Sequence, residues 1–390
     1  MTSIPSCVVA GLICLDVFPD LLGQKDFLSG LQPGQLLTVG PVKMATGGAV
    51  ANTGLALHRL GITTHLMGNV GDDSFGQILI GLLDANDEQL ASGIHTQKGE
   101  HTSYSLILST AETDRIFLHN RGANDAFGWQ DVNYDLVSKT DLFHFGYPPA
   151  MARMFEDNGR ELALLFKNVK ATGVTTSLDM CMFDRKGPAG KVDWTALLQR
   201  TLPYCDLFLP SIDELLLMLN PDLLDDIRSS NSTIDPQSLS LLAEDLLAMG
   251  AKIVMIKLGE KGIYLRTTSS ARLINMGRGF QASASTWAEK ELWVPVFEAN
   301  LVGATGAGDT AVAGFLSAIL RKNTPEQAIT MAAAAGACNV EAADAISGVL
   351  SWEETVARID RGWSRRKLDL PGWTFDHTDQ VYRGPGDESA

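Results

Sequence analysis

At 390 residues, the chain has room for one large α/β domain or two modest ones. A formal net charge of −15 argues against nucleic acid or an anionic membrane surface as the main partner, but leaves a local phosphate site open. No uninterrupted apolar run reaches the ~18–20 residues of a membrane-spanning helix. The five cysteines (Cys7, Cys14, Cys181, Cys205, Cys338) are scattered and set mostly in apolar runs, the pattern of buried thiols in a reducing cytoplasm. The start, Met1–Cys7, has no basic region, so a cytoplasmic chain without a signal peptide is expected. Histidines and cysteines show no metal-ligand spacing, so no structural zinc is expected.

In chain order, Cys7-Val-Val-Ala-Gly-Leu-Ile-Cys-Leu15 reads as one buried strand. Asp16 follows it, where α/β sheets bind ligands; capping a turn is the plainer role for that carboxylate. Residues 20–44, broken by Gly and Pro, read as strands outside the main sheet. Thr46-Gly-Gly-Ala-Val-Ala-Asn-Thr53 opens a helix that Gly61 ends. Asn52 is a poor interior helix residue, which points to a hydrogen-bonding task. Ile62–Met67 is the next strand, and the loop Gly68–Gly76 offers Asp72 and Asp73 as caps or pocket residues. Residues 102–119 read as a hairpin around the polar turn Ser109–Asp114.

Leu142–Gly146, Val174–Asp179, Asp206–Pro210 and Ile253–Leu258 continue as strands, with helices predicted at Arg160–Lys170 and Ser238–Met249. This alternation predicts a mainly parallel sheet covered on both faces. Thr267–Asn300, with Trp287 and Trp293, reads as a β-insertion or an ordered loop. The reading divides the chain into a domain of residues 1–365 and a turn-rich tail of 366–390, whose last residues are expected to be disordered.

The stretch with the most chemistry is Leu301-Val-Gly-Ala-Thr-Gly-Ala-Gly-Asp-Thr310, which runs straight into an apolar helix. Gly306, Ala307 and Gly308 let an anion approach their backbone N–H groups, and the unpaired N–H groups and positive dipole end of the helix suit phosphate. Asp309 at that mouth would repel the same anion. A base that deprotonates an attacking hydroxyl accounts for it; the plainer account is an acid favoured by the dipole. A G-x-x-x-x-G-K-[ST] loop is absent, since Gly190-Lys191 is followed by Val192.

Three separated motifs then occur in order: Gly47-Gly48-Ala-Val-Ala-Asn52 with Gly68–Gly76 beyond it, Leu258-Gly-Glu-Lys-Gly262, and Ala304-Thr-Gly-Ala-Gly-Asp309. With these the sequence resembles the ribokinase/PfkB family of carbohydrate and nucleoside kinases, over roughly residues 5–360. The resemblance implies a three-layer α/β/α fold with a mainly parallel central sheet and a small β-sheet lid built from about 12–45 and 100–122. It implies transfer of the γ-phosphoryl of ATP, with Mg2+, to a hydroxyl, commonly a primary CH2OH. Asp309 would be the base, and the backbone of Gly306, Ala307 and Gly308 the anion hole.

Asp16, Gly47, Gly48 and Asn52 would contact the sugar, with Phe117 and His119 reaching it from the lid. Ser211, Lys257, Gly259, Gly262 and Thr305 would lie at the nucleotide, Glu214 would hold the metal through water, and Ala332–Asn339 would form the adenine wall. Arg115 and Arg121 can reach substrate or phosphate, though surface roles are commoner for arginine. The chain departs from the family pattern at Ser211, usually Asn, and at Gly303, usually an acid that helps bind K+, so a potassium requirement lacks its ligand. Met180-Cys-Met-Phe-Asp184 also lacks the Asn and Arg that several sugar-acid and hexose kinases carry there.

The leading reading is therefore a kinase of a small sugar or sugar-like alcohol, pairing as a homodimer through the exposed lid sheet. A nucleoside kinase shares every motif, with Tyr104 and Phe117 available to stack on a base. A non-catalytic sugar- or nucleotide-binding regulator is the alternative outside enzymes.

Overall fold

The computed structural model describes residues 4–23, 27, 30–109, 116–230 and 232–387. Its strands, in chain order, are β1 (Ser6–Gly11), β2 (Cys14–Pro19), β3 (Val42–Gly47), β4 (Thr63–Gly71) and β5 (Ile94–Gln97). They continue with β6 (Tyr104–Leu108), β7 (Ile116–Asn120), β8 (Leu142–Gly146), β9 (Thr175–Asp179) and β10 (Leu207–Phe208). The last are β11 (Ile253–Lys257), β12 (Ile263–Thr267), β13 (Glu291–Val294), β14 (Thr374–Asp376) and β15 (Val381–Arg383). Eleven of them form one sheet in the order β14-β15-β13-β12-β11-β10-β9-β8-β1-β4-β5, and β3-β2-β6-β7 form a second.

From β5 to β11 every pairing in the large sheet is parallel, and from β11 to β14 every one is antiparallel. The parallel strands are apolar along their whole length because both faces are covered. Cys7 and Val9 of β1 face the side packed by the helices Gly48–Arg59, Ala307–Leu320 and Pro325–Asn339. Val8 and Ala10 face the side packed by Ala152–Ala171, Trp194–Thr201 and Pro236–Met249. The resulting architecture is the expected α/β/α sandwich with a mainly parallel central sheet. The Ala152–Ala171 segment is interrupted by left-handed residues at Asp157–Gly159, so its regular helix resumes where the sequence predicts it, at Arg160.

Two expectations need correcting. The run Cys7–Leu15 is not one strand: β1 stops at Gly11, with φ of 124°, and the chain crosses to the small sheet, where Asp16 lies inside β2. A side chain at residue 11 would come within 2.2 Å of the Gly146 carbonyl, so the crossing is built on a glycine that nothing wider can replace. An apolar run carries no mark of such a change of sheet.

The turn-rich tail is the second. It supplies β14 and β15, and β15 pairs with β13 at the edge of the large sheet. Trp373 packs edge-on to Tyr264 and Trp293, with centroids 6.1 and 5.8 Å away, and Arg383 bridges Asp376, Asp379, Asp387 and Glu326. Residues 388–390, expected to be disordered, lie outside the described residues.

The 267–300 stretch is ordered and carries β13, which joins the sheet beside β12. All five cysteines are free, and only Cys181 is not fully buried. Among the described residues, no helix is long and apolar enough to cross a membrane.

Candidate active site

Two glycine-opened helices, Gly48–Arg59 and Ala307–Leu320, pack against each other beside the C-terminal ends of β1 and β8. Gly306 caps the second with φ of 73°, and a Cβ there would lie 2.4 Å from the Ala345 carbonyl oxygen. No side chain caps this helix end, so its first N–H groups and its dipole face the cleft. Gly48, with φ of 82°, starts the first helix against the Leu12 carbonyl. Gly47 differs from it: its backbone is extended, yet a Cβ would come within 2.4 Å of the Asp16 carboxyl group. Gly47 is the space that carboxyl occupies.

Asp309 is buried in the first turn of its helix. Asn52 Nδ2 donates to its Oδ2 at 3.0 Å, Thr53 Oγ1 to Oδ1 at 3.4 Å, and the Tyr147 hydroxyl to Oδ1 at 2.7 Å. All three donors are neutral, so the carboxylate is oriented without being locked into an ion pair. Asn52 Oδ1 is buried with no hydrogen-bond partner, a state that costs about 1–3 kcal/mol until a donor such as a hydroxyl arrives.

The small sheet lays further residues along the same cleft. Ala45, Asp16, Ser105 and His119 are successive cross-strand neighbours on β3, β2, β6 and β7, and Phe117 follows opposite Ile107. Side chains two apart share a face, so Asp16, Phe117 and His119 share one face of this lid. His119 Nδ1 lies 3.0 Å from Ser105 Oγ, and Cys14 Sγ donates to Asp16 Oδ1 at 3.4 Å. Tyr104 falls on the opposite face and packs edge-on to Phe75 at 5.6 Å, so of the two aromatics considered for base stacking only Phe117 is on the cleft side. Arg115 lies outside the described residues, and Arg121 pairs with Asp125 at 3.3 Å.

On the other flank, Lys257 Nζ reaches both oxygens of Asp179 at 2.7 Å. A Cβ on Gly308 would be 3.8 Å from the same Nζ, so this ammonium stands at the glycine loop. Burial alone would lower Lys257, but Asp179, Glu214 and Asp309 outweigh it and hold the group above its usual value. Burial pushes the Asp179 carboxyl up, with Lys257 opposing and Glu214 and Asp309 reinforcing. Ser211 and Glu214 form a reciprocal capping box for the helix Ile212–Leu219: Glu214 Oε2 accepts from Ser211 N at 2.6 Å, and Ser211 Oγ from Glu214 N at 3.3 Å. Both residues thus have a structural task that the sequence reading did not assign.

Gly259 and Gly262, with φ of 56° and 97°, make the tight turn after β11. The Thr305 carbonyl accepts from Asn339 Nδ2 at 2.8 Å, which ties the glycine loop to the helix of the expected adenine wall. Asp73 caps the helix Ser74–Asp84 and Asp72 accepts from Gly99 N, so these two brace loops. Beside Gly303 there is no room for an added acid: a Cβ would lie 2.9 and 3.1 Å from the carbonyl oxygens of Ala342 and Ala343. The residues present therefore do not fit the family's potassium site. A separate cavity of about 560 Å³, lined by Glu244, Arg266 and Glu289 among others, lies at the opposite end of the sheet.

The sequence reading missed Tyr147, Thr53 and the pairing of Asp179 with Lys257. Tyr147 sits on no motif and reaches Asp309 only because β8 ends beside β1.

A protein-family model described as pfkB family carbohydrate kinase matches residues 6–352. The chain belongs to the pfkB family of carbohydrate kinases. Among relatives of this kinase, fructokinase-2 of Solanum lycopersicum is 26% identical over 282 residues, covering 72% of this chain and 74% of its own. A fructokinase of Solanum tuberosum is 27% identical over 287 residues, 73% of each chain. Among solved structures, Arabidopsis thaliana ribokinase complexed with ribose and ATP superposes with a TM-score of 0.69 at 20% identity, over 91% of this chain and 98% of that one. A fructokinase from Xylella fastidiosa with bound ATP gives 0.66 at 19% identity, over 91% and 98%. These likenesses establish the ribokinase-like fold of this carbohydrate kinase.

Proposed function

We propose that this kinase transfers the γ-phosphoryl of ATP to a hydroxyl, a primary CH2OH by preference, of a small neutral sugar. The observation that carries the reading is Asp309: a buried carboxylate in the first turn of a glycine-opened helix, held only by neutral donors and adjoining Asn52. Asn52 Oδ1 and the Asp16 carboxylate orient the acceptor through its hydroxyls, which suits a polyol. Asp309 takes the proton of the attacking hydroxyl as its oxygen bonds to phosphorus and the bond from phosphorus to the departing ADP oxygen breaks, and the carboxyl gives the proton to solvent once the products leave. Backbone N–H groups of Gly306, Ala307 and Gly308, with Lys257 beside them, hold the charge that develops on the transferred group.

When bound, Mg2+ would supply charge neutralisation at the phosphates. Glu214 is the residue to hold it through water, in keeping with a metal that takes few protein ligands. Among the described residues no cluster of three or more His, Cys, Asp or Glu stands ready for a metal. Among the described residues, Asp16, Asp179, Glu214 and Asp309 gather around the cleft, and the ammonium of Lys257 that faces them is already bonded to Asp179. That balance disfavours sugar acids and sugar phosphates as acceptors. The fructokinase relatives make a ketohexose the first acceptor to assay. The sheet that carries Phe117 and His119 acts as the lid that keeps water from competing, and we place the dimer contact on its outer face.

The test is substrate-stimulated ADP release with a panel of neutral sugars, sugar acids and nucleosides, wild type beside Asp309→Asn. A neutral sugar should turn over, and the substitution should slow it on the order of 10²–10⁴-fold. Activity of the variant within a few-fold of wild type would remove Asp309 as base, and silence of the wild type across the panel would favour a binding role.

A further inference from the structure

Tyr147 stands out on three independent counts. Its backbone is left-handed, with φ of 70° and ψ of 39°, a region that bulky residues avoid. It also precedes Pro148-Pro149, and a residue before proline is normally driven to extended conformations. Its hydroxyl nonetheless makes the shortest hydrogen bond recorded to Asp309, 2.7 Å to Oδ1. The conformation is fixed from both sides: Tyr147 N donates to the Asp179 carbonyl at 3.2 Å, and its own carbonyl accepts from Ala150 N at 3.1 Å. Cys181 Sγ reaches the same carbonyl at 4.0 Å. Strain of this kind persists only where the surroundings over-determine it, and its usual place is a functional site.

We propose that Tyr147 is a positioning residue for phosphoryl transfer: its hydroxyl holds the Asp309 carboxylate in the orientation that receives the acceptor's proton. The inference rests on the reading of Asp309 as base and goes beyond it to the group that orients that base. Burial, and after it the charge of Asp309, pushes the phenol well above its usual range, so it remains a donor wherever the enzyme is assayed. Tyr147 approaches from the end of β8, whereas Asn52 and Thr53 approach from the helix Gly48–Arg59, so the carboxylate is gripped from two elements.

The charged and titratable groups around Asp309 are Lys257 from β11, Asp179 and Cys181 at the end of β9, Glu214 from the helix Ile212–Leu219, and Cys14 from β2. Asp16 stands next to Cys14. None of these touches Oδ1 through a hydrogen bond, as Tyr147 and Thr53 do. Loss of the Tyr147 hydroxyl therefore leaves the carboxylate with one weak donor on that oxygen.

The test is kcat, and KM for each substrate, of Tyr147→Phe beside wild type and Asp309→Asn, with thermal unfolding run in parallel. A hydroxyl that orients the base acts in the transition state, so Tyr147→Phe should lower kcat on the order of tenfold and leave both KM values within a few-fold of wild type. A kcat within twofold of wild type, or a variant that does not fold, overturns the proposal and leaves Tyr147 a structural residue. Full activity of Asp309→Asn would instead overturn the base itself, so the two failures are distinguishable.

Discussion

Gly47 shows how one missing side chain shapes the end of the cleft proposed to take the acceptor. Its backbone is extended, so alanine meets no conformational obstacle there. The obstacle is Asp16, whose carboxyl atoms lie 2.4 Å from where a Cβ would be. Gly47→Ala should therefore raise the KM for the sugar on the order of tenfold to a hundredfold, the usual penalty of overpacking, with a smaller effect on the KM for ATP. Steady-state kinetics with each substrate varied in turn checks this, and equal effects on both would detach Asp16 from the acceptor.

At this scale the sequence is informative where chemistry and chain geometry coincide. Glycines before a helix announce an anion-binding end; Asn52 stands out as a poor interior helix residue, and Asp309 as a carboxylate at a mouth that suits anions. Tyr147 carries no such mark. Its value arises from the β1–β8 register, a contact between residues more than a hundred positions apart, which no local pattern encodes.

The element with an unforeseen role is the segment after Lys367. Trp293 Nε1 donates to the Lys261 carbonyl at 2.8 Å, inside the turn Gly259–Gly262, and Trp373 packs against Trp293. The tail thus buttresses the turn expected to lie under the nucleotide, from residues beyond the matched family segment. Trp373→Ala should cost on the order of 2 kcal/mol of stability and raise the KM for ATP while sparing that for the sugar. Denaturant unfolding and initial rates test both; a raised sugar KM alone would contradict the assignment.

Helices and parallel strands were legible because their apolar periods run for many residues. β14 and β15 are three residues each, shorter than any period can reveal, and they lie among glycines and prolines. The change from β1 to β2 was hidden for the opposite reason, since the apolar run continues through it.

For the whole molecule, the outer face of the lid is where the proposed dimer would form. Met44, Val17, Leu106 and Leu118 are cross-strand neighbours there, and Leu118, Val42 and Met44 are 53%, 52% and 39% exposed. An apolar sheet face of this kind is a ready interface between copies. Wild type should sediment as a dimer and Leu118→Glu as a monomer; a monomeric wild type at micromolar concentration would refute the pairing.

The path of the chain between the two sheets has one more effect. β2 continues β1 after only Leu12 and Ile13, and β3 passes into its helix at Gly47–Gly48 without a linker. Asp16 therefore rides on the small sheet, whereas Asp309 is rooted in the large one. On the proposed reading, any swing about those short joints carries the acceptor's anchor and leaves the proton's destination still, so gripping the sugar and sealing the chamber would be a single mechanical stroke.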